Sequence, residues 1–532
     1  MLTKNKPRQV LAKSNYQVKF KRRAEAGPME ALFYIYVAAA VYYLVWRLSG
    51  TVNWAIWYGP VLLAADLYGI ITTGLFLYIV RSIYDPVPRK TIRRYSVDAL
   101  IPTYNEPVEV IRPTIERARA VRGIGRVIVL DDGNRPAVSA LCRQLGAVYH
   151  ASVGNKHAKA GNLNQGLKLS KAELLLLLDC DHLPQANFLE RTIGYFDDPA
   201  VGIVQTPQTY YNRSSFLYRE RGRGKQWSEQ GMFYECIQPA KNYYNSAFFV
   251  GTSAVLRREA IDQIGGFAIG TATEDIHSSL RLHAAGWKSV FVDEPLAFGL
   301  EAASFKEFYK QRLRWAAGSL GLLMRSKDSP LVIKGLSFRQ RLNYLSATLA
   351  HMQGVQRLLY ILIPVFCIIQ LQSPVRMSVT TFTAIYLPFM VLSIILTAIA
   401  ARGSYHLFFT ECFGLASIFT HLVALKGVLR IQKKFDVSRK TVVSAERSWV
   451  KRGLYVLLLI FFLAMARAVL LLGNPAYEAV HYLVAISTIF VALNFLILAG
   501  FLAQLTKYER QNGRPVVTAR ADAALEIARN SS

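Results

Sequence analysis

Long apolar runs on both sides of one polar block constrain this chain more than any other feature. Ala31–Leu48 and Trp54–Val80 precede the block, which extends from about Arg81 to Lys334. Leu358–Leu371 (extended by Gln356 and Arg357 at its edge), Phe382–Ala401, Leu454–Leu472 and Tyr482–Leu505 follow it. Runs of this kind suit helices crossing a hydrocarbon core, where every backbone polar group must be satisfied internally. The 532 residues exceed one ordinary domain, and 52% hydrophobic content points to an integral membrane protein. The polar block must therefore fold as its own unit beside the bilayer.

Charge sets the sides. The chain carries 63 Lys and Arg against 35 Asp and Glu, a net +28. No aromatic-interleaved basic repeat or nucleic-acid motif accompanies it, so nucleic acid is not expected as a partner. The basic residues instead flank spans: Lys19, Lys21, Arg22 and Arg23 before the first hairpin, and Arg81, Arg89, Lys90, Arg93 and Arg94 after it. Both ends of that hairpin are thus expected inside. The basic arm is too long for a usual signal peptide and reads as a retained anchor. Tyr405–Leu429 is apolar but carries His406, Glu411, His421 and Lys426. If it crossed, the basic stretch Arg430–Arg452 would lie outside, so it is expected to be interfacial or re-entrant. Six spans with cytosolic termini result. Asp66 falls within the second span and predicts a hydrogen bond to a neighbouring helix. Five scattered cysteines without a C-x-x-C pair indicate neither a disulfide framework nor a zinc site.

Inside the polar block, short apolar runs recur at Val97–Ile101, Val127–Leu130, Leu174–Leu178, Gly202–Val204, Phe248–Val250 and Ser289–Val292. Helical patterns such as Val108–Ala120 and Gly161–Leu169 lie between them. This alternation predicts an α/β domain with a largely parallel, Rossmann-like sheet, whose ligands bind beyond the carboxyl ends of the strands.

Acidic residues stand at two such ends: Asp131-Asp132-Gly133 and Asp179-Cys180-Asp181. Alternation along a strand predicts that Asp179 and Asp181 converge while Cys180 points away. Two hard oxygen ligands suit Mg²⁺ or Mn²⁺ with open positions for phosphate, although strand-end carboxylates are also common as solvated loop residues. Thr273-Glu274-Asp275 opens a helical pattern over Ile276–Ala285. It fits both a helix N-terminus and a carboxylate that takes a proton from a hydroxyl. Gln311, Arg314 and Trp315 share one face of an amphipathic helix over Phe305–Leu323. Arg314 there could neutralise pyrophosphate, and Trp315 could support a sugar ring. A membrane-surface helix would use the same residues.

The ordered series IPTYNEP (101–107), LDDG (130–133), NKHAKAGNLN (155–164), LDCDH (178–182) and QTPQTYYN (205–212) continues with FFVGTSAVLRR (248–258) and TEDIHSSLRLHAAGW (273–287). QRLRWAAG (311–318) and FDVSRK (435–440) complete it. Together these motifs resemble the processive family 2 inverting glycosyltransferases, in the branch of bacterial cellulose synthase catalytic subunits. The T-E-D form of the acceptor motif is similar to cellulose-type enzymes rather than to the G-D-D of hyaluronan- and chitin-type relatives.

The resemblance implies a GT-A glycosyltransferase fold, UDP-glucose as donor, and Mg²⁺ or Mn²⁺ held by Asp179 and Asp181. It implies that Thr103, Tyr104, Glu106, Asp131 and Asp132 hold the uridine half, and that Lys159 meets the diphosphate. Asp275 would be the general base beside Glu274. Gln311, Arg314 and Trp315 would bind pyrophosphate and the acceptor's terminal sugar, and Phe248, Phe249, Gly251 and Thr252 would line the acceptor site. Phe435, Val437, Ser438 and Lys440 would belong to a cytosolic gating loop over the donor. The growing polysaccharide would leave through the chain's own spans, with a periplasmic or wall-side partner.

On this reading the segments are a basic arm (1–30), two spans (31–81), the cytosolic transferase domain (82–330) and an interfacial helix (331–352). Two spans (353–402), an interfacial helix with the gating loop (403–452), two further spans (453–506) and a cytosolic tail (507–532) follow. Arg510 and Arg514 echo the family's R-x-x-x-R before a cyclic-di-GMP-binding barrel, but no barrel follows, so direct cyclic di-GMP binding is not expected. Val250 stands where the family usually has Cys, which leaves β-1,4, β-1,3 (curdlan-type) and mixed linkages open. A non-processive lipid-linked glycosyltransferase and an inactive export scaffold are the competing readings.

Overall fold

The computed structural model describes residues 16–24, 26–152, 157–211, 217–221, 225–302, 304–429 and 449–512. The polar block folds around seven strands: β1 (Val97–Thr103), β2 (Val127–Asp131), β3 (Val148–Ala151), β4 (Leu174–Leu177), β5 (Val201–Gln205), β6 (Ala254–Arg257) and β7 (Lys288–Phe291). Their order across the sheet is β7-β5-β6-β4-β1-β2-β3. The β4-β1-β2-β3 half is parallel, which requires crossovers. Helices Val108–Arg119, Pro136–Gln144 and Ala158–Leu169 supply them. β6 runs antiparallel to both β4 and β5, while β5 and β7 are parallel. A parallel half is thus joined to a second half through one reversed strand.

Burial on both faces explains the unbroken apolar runs. Val97, Ala99, Ile101, Val127, Val129, Leu174 and Leu176 pack into the core on one face. Leu100, Ile128, Leu130, Leu175 and Leu177 pack into the core on the other. The period of two carries adjacent leucines to opposite layers.

The run Phe248–Val250 was expected as a strand and is not one; Ala254–Arg257 enters the sheet instead. The backbone of the run is satisfied by side chains. Phe248 N–H donates to Gln238 Oε1 (3.3 Å), Phe249 N–H to Ser279 Oγ (2.9 Å) and Val250 N–H to Gln205 Oε1 (3.0 Å). Apolar composition recorded burial here, not pairing.

Among the described residues, seven helices are long and apolar enough to cross a membrane: Gly27–Thr51, Tyr58–Val80, Phe338–Gln370, Val379–Ala400, Leu407–Leu429, Trp449–Leu472 and Pro475–Arg510. The sequence reading counted six, and the added one is Leu407–Leu429. It is interrupted at Ser417. Over half of its most apolar window (56%) is buried, against 33% or less in the other six. Its second part, Ile418–Leu429, places Ala424 and Val428 against Ala316, Ala317 and Leu320 of the polar block. Within 331–352, where an interfacial helix was expected, the helix Phe338–Leu349 opens on a Ser337/Gln340 capping box and belongs to the membrane-capable stretch Phe338–Gln370. One tighter turn, Ala350–Met352, joins it to Gln353–Gln370.

Asp66 has the hydrogen bond the sequence suggested, and also an ion partner. Arg47 Nε lies 3.1 Å from Asp66 Oδ2, both side chains being almost wholly buried. Tyr43 and Tyr360 hydroxyls donate to the same carboxylate at 2.9 and 3.0 Å.

Candidate active site

The site is built where β1, β2 and β4 end. Thr103 closes β1, and its hydroxyl donates to Glu106 Oε2 (2.8 Å), as does the Tyr104 amide (2.9 Å). Asp131 closes β2 and is fully buried. It accepts from the Gly133 and Arg135 amides (3.0 and 2.8 Å), from Arg135 Nη2 (2.9 Å) and from the Tyr149 hydroxyl (3.1 Å). Arg135 also donates to Thr103 Oγ1 at 2.8 Å. Asp131 and Arg135 therefore hold the loop rigid from within and fix the surface that Tyr104 and Asp132 present. Burial pushes the Asp132 carboxyl up to about 6, against a Ser152 hydrogen bond and with help from the Asp131 charge. Sequence reasoning passed over Arg135; its position four residues after Asp131 was the available signal.

β4 ends at Leu177, so Asp179 and Asp181 sit on the turn beyond it, not on alternate strand positions as expected. The turn itself brings them together. Cys180 is in the core, and its carbonyl accepts from Thr114 Oγ1 at 2.8 Å. Asp179, Asp181 and His182 each offer one ligand atom, all within 4.8 Å of one another. His182 Nδ1 lies 3.1 Å from Asp181 Oδ1. A Cβ on Gly299 would fall 2.3 Å from the His182 ring, so glycine is needed to seat that ring. Two carboxylate oxygens and an imidazole fit Mg²⁺ or, with the nitrogen donor, Mn²⁺. The sequence reading quoted His182 in its motif without giving it a role.

Thr273 immediately precedes the helix Glu274–Ala284. Asp275 Oδ1 accepts from the Ile276 amide at 2.8 Å. Burial pushes the Asp275 carboxyl up to about 7; the Glu274 charge adds to this, and the Ile276 amide, Lys159 and Arg314 oppose it. Lys159 connects this base to the metal-type carboxylates. Its Nζ donates to Asp179 Oδ1 (2.5 Å) and to the Gly251 carbonyl (2.8 Å), and stands 3.9 Å from Glu274 Oε1. Burial alone would lower the ammonium pKa, but the charges of Asp179, Glu274 and Asp275 outweigh it and leave a net rise.

Gly251 has φ +93°, and a Cβ there would sit 3.2 Å from Asp275 Oδ2 and 3.3 Å from Lys159 Nζ. Of the stretch expected to line the acceptor, Phe248, Phe249 and Thr252 are buried. Thr252 Oγ1 accepts from the Asp179 amide at 2.9 Å. Thr252 thus braces the Asp179 turn, whereas the Phe248 side chain packs with Leu280 and Tyr344 and the Phe249 side chain with Leu256 and Phe267, in the hydrophobic cores.

Gln311, Arg314 and Trp315 are half-buried on the helix Phe305–Arg325. Arg314 is close enough to lower the Asp275 pKa. The helix approaches Thr273 at Gly318, where a Cβ would lie 2.5 Å from Thr273 Cγ2. Phe435, Val437, Ser438 and Lys440 lie outside the described residues, as do Asn155, Lys156 and Asn212 of the quoted motifs.

A family model described as "Glycosyl transferase family group 2" matches residues 174–503. The chain is 31% identical over 512 residues to "Cellulose synthase 1" of Komagataeibacter xylinus, covering 91% of this chain and 33% of that protein. It is 34% identical over 397 residues to "Cellulose synthase catalytic subunit [UDP-forming]" of Pseudomonas fluorescens, covering 72% of this chain and 53% of that one. The chain thus spans between a third and about half of the length of these relatives. The solved mannosyltransferase PcManGT from Pyrobaculum calidifontis, in complex with GDP-Man and Mn2+, aligns over 88% of this chain and 98% of its own at 15% identity and a TM-score of 0.37. The mixed sheet, the carboxylates at its strand ends and the match across 174–503 agree: the chain belongs to glycosyl transferase family group 2, with a GT-A glycosyltransferase domain set among membrane-capable helices.

Proposed function

We propose that this protein is a processive β-glucan synthase that elongates a cellulose-like β-1,4 chain from UDP-glucose on the cytosolic face and passes it outward between its own spans. The observation that carries this reading is the Lys159 ammonium, which touches Asp179 and the Gly251 carbonyl and stands beside Glu274. One cation stands between the donor-side carboxylate and the helix start that bears the base, which places donor and acceptor groups in one site, as a single displacement would use them.

In the proposed reaction Asp275 takes the proton of the acceptor hydroxyl, whose oxygen attacks the anomeric carbon opposite the leaving UDP. A carboxylate with a pKa near 7 is both ionised and basic enough at neutral pH. Attack from the far side inverts the α-linked donor into a β-linked product. Lys159 and Arg314 face the negative charge that develops on the leaving diphosphate, while the loop braced by Asp131 and Arg135 orients the nucleoside. Asp179, Asp181 and His182 would hold Mg²⁺ or Mn²⁺, which when bound supplies charge neutralisation at the diphosphate. Trp315 offers its ring as the platform for the acceptor's terminal sugar. The relatives named as cellulose synthases support glucose and the β-1,4 linkage.

Inverted membrane vesicles given radiolabelled UDP-glucose test the reading. Ethanol-insoluble, glucanase-sensitive polymer is expected, with 4-linked glucose on methylation analysis. A 3-linked product would replace the linkage, and UDP release without polymer would defeat the processive reading.

A further inference from the structure

Arg312 lies inside the QRLRW motif but off the face shared by Gln311, Arg314 and Trp315. It is buried, and its guanidinium carbon stands 4.2 Å from the centre of the Trp315 ring and 4.7 Å from that of Phe308. Nη1 donates to Gln311 Oε1 at 3.1 Å. Nη2 is bonded to the carboxylate of Glu229. A flat cation held against an indole limits how that ring can tilt, and cation–π contacts strengthen where water is excluded.

Glu229 is itself anchored. Its amide donates to the Leu217 carbonyl at 3.1 Å. Two residues earlier, Trp227 is buried, donates through Nε1 to the Ser404 carbonyl at 2.8 Å, and stacks on Phe409 and Phe413 of the apolar segment Leu407–Leu429. A continuous chain of contacts therefore runs from that segment through Trp227, Glu229 and Arg312 to the ring at the site.

We propose that Glu229 is a positioning residue: by holding Arg312 against the Trp315 indole and the Gln311 amide, it sets the tilt of the sugar platform and ties it to Leu407–Leu429. This rests on the reading of Trp315 as the acceptor platform. A tilted platform would misplace the acceptor hydroxyl relative to Asp275 while leaving the donor pocket intact. Activated donor would then be lost to water, releasing UDP and free glucose without extending the chain. An error of one ångström in such placement costs about a hundredfold in rate.

The test uses the full chain in nanodiscs with 5-fluorotryptophan at its 7 tryptophans, the Trp315 signal being assigned with Trp315→Phe. Glu229→Gln and Arg312→Lys are each expected to shift that fluorine resonance. Glu190→Gln, which alters an exposed ion pair with Arg122, is expected to leave it in place. In vesicles, Glu229→Gln is expected to raise the ratio of UDP released to glucose incorporated by about tenfold, with the KM for UDP-glucose unchanged. The double variant should be no worse than the poorer single one. An unmoved Trp315 resonance in both single variants, or losses that multiply in the double variant, would overturn the proposal. A wild-type chain that releases UDP without polymer defeats the reading of the reaction instead, and the fluorine resonance still decides the clamp.

Discussion

Gly318 is packed so tightly on Thr273 that a Cβ would lie 2.5 Å from Thr273 Cγ2 and 2.6 Å from its hydroxyl oxygen. This contact seats the helix bearing Gln311, Arg314 and Trp315 directly on the start of the helix bearing Asp275. Alanine in a helix interior normally stabilises by about 1 kcal/mol over glycine. Gly318→Ala is nevertheless expected to push the two helices apart and cut polymer synthesis about tenfold or more. UDP affinity by calorimetry should weaken as well, since the same helix carries Arg314 to the diphosphate. Full activity in this variant would contradict the packing account.

The raised pKa of Asp275 predicts a pH profile. Its carboxyl must be ionised to accept a proton, so kcat/KM should fall as pH drops through about 7. Burial is the main cause of the rise and the Glu274 charge the next. Glu274→Gln removes that like charge and should move the acidic limb to lower pH. Lys159→Gln removes an opposing cation and should move it to higher pH. Profiles of glucose incorporation check both signs, whatever the loss of amplitude.

The Asp179, Asp181 and His182 cluster predicts metal dependence. Chelation should abolish incorporation. Mn²⁺ should restore it at lower concentration than Mg²⁺, because an imidazole ligand suits Mn²⁺ better. His182→Ala should narrow that difference more than it changes the KM for UDP-glucose. Titration of each metal into chelated vesicles is the measurement.

The buried Arg47–Asp66 pair predicts an asymmetry in stability. Asp66→Ala leaves the Arg47 charge buried without its counter-ion and is expected to cost about 3–5 kcal/mol. Arg47→Met combined with Asp66→Leu should recover most of the loss. Thermal stability of the detergent-purified variants, followed by monodispersity on gel filtration, tests the order.

Residues whose job is local were legible in the sequence; residues whose job is to meet a distant segment were not. Apolar runs gave the cores of β1, β2, β4 and β7 because these strands are buried on both faces. β3 was missed because Val148–Ala151 is only partly buried at the sheet edge, where selection for apolar residues is weaker. Phe248–Val250 misled because composition cannot distinguish a strand from a buried loop whose amides bond side chains. Asp179, Asp181 and Asp275 could be named from motif chemistry. Arg312 and Glu229 could not, because the ion pair between them joins segments far apart in sequence. The same holds for Leu407–Leu429: flanking charge argues for its side of the membrane, while its burial depends on packing against Ala316 and Leu320.

Processive synthesis means that one site adds glucose repeatedly to a chain it does not release. A pulse of radiolabelled UDP-glucose to inverted vesicles, chased with excess unlabelled donor after a few turnovers, tests it most directly. Label is expected in long, ethanol-insoluble β-glucan from the earliest time points, with Asp275→Asn giving none. Label in short soluble oligosaccharides or in a glycolipid would contradict it.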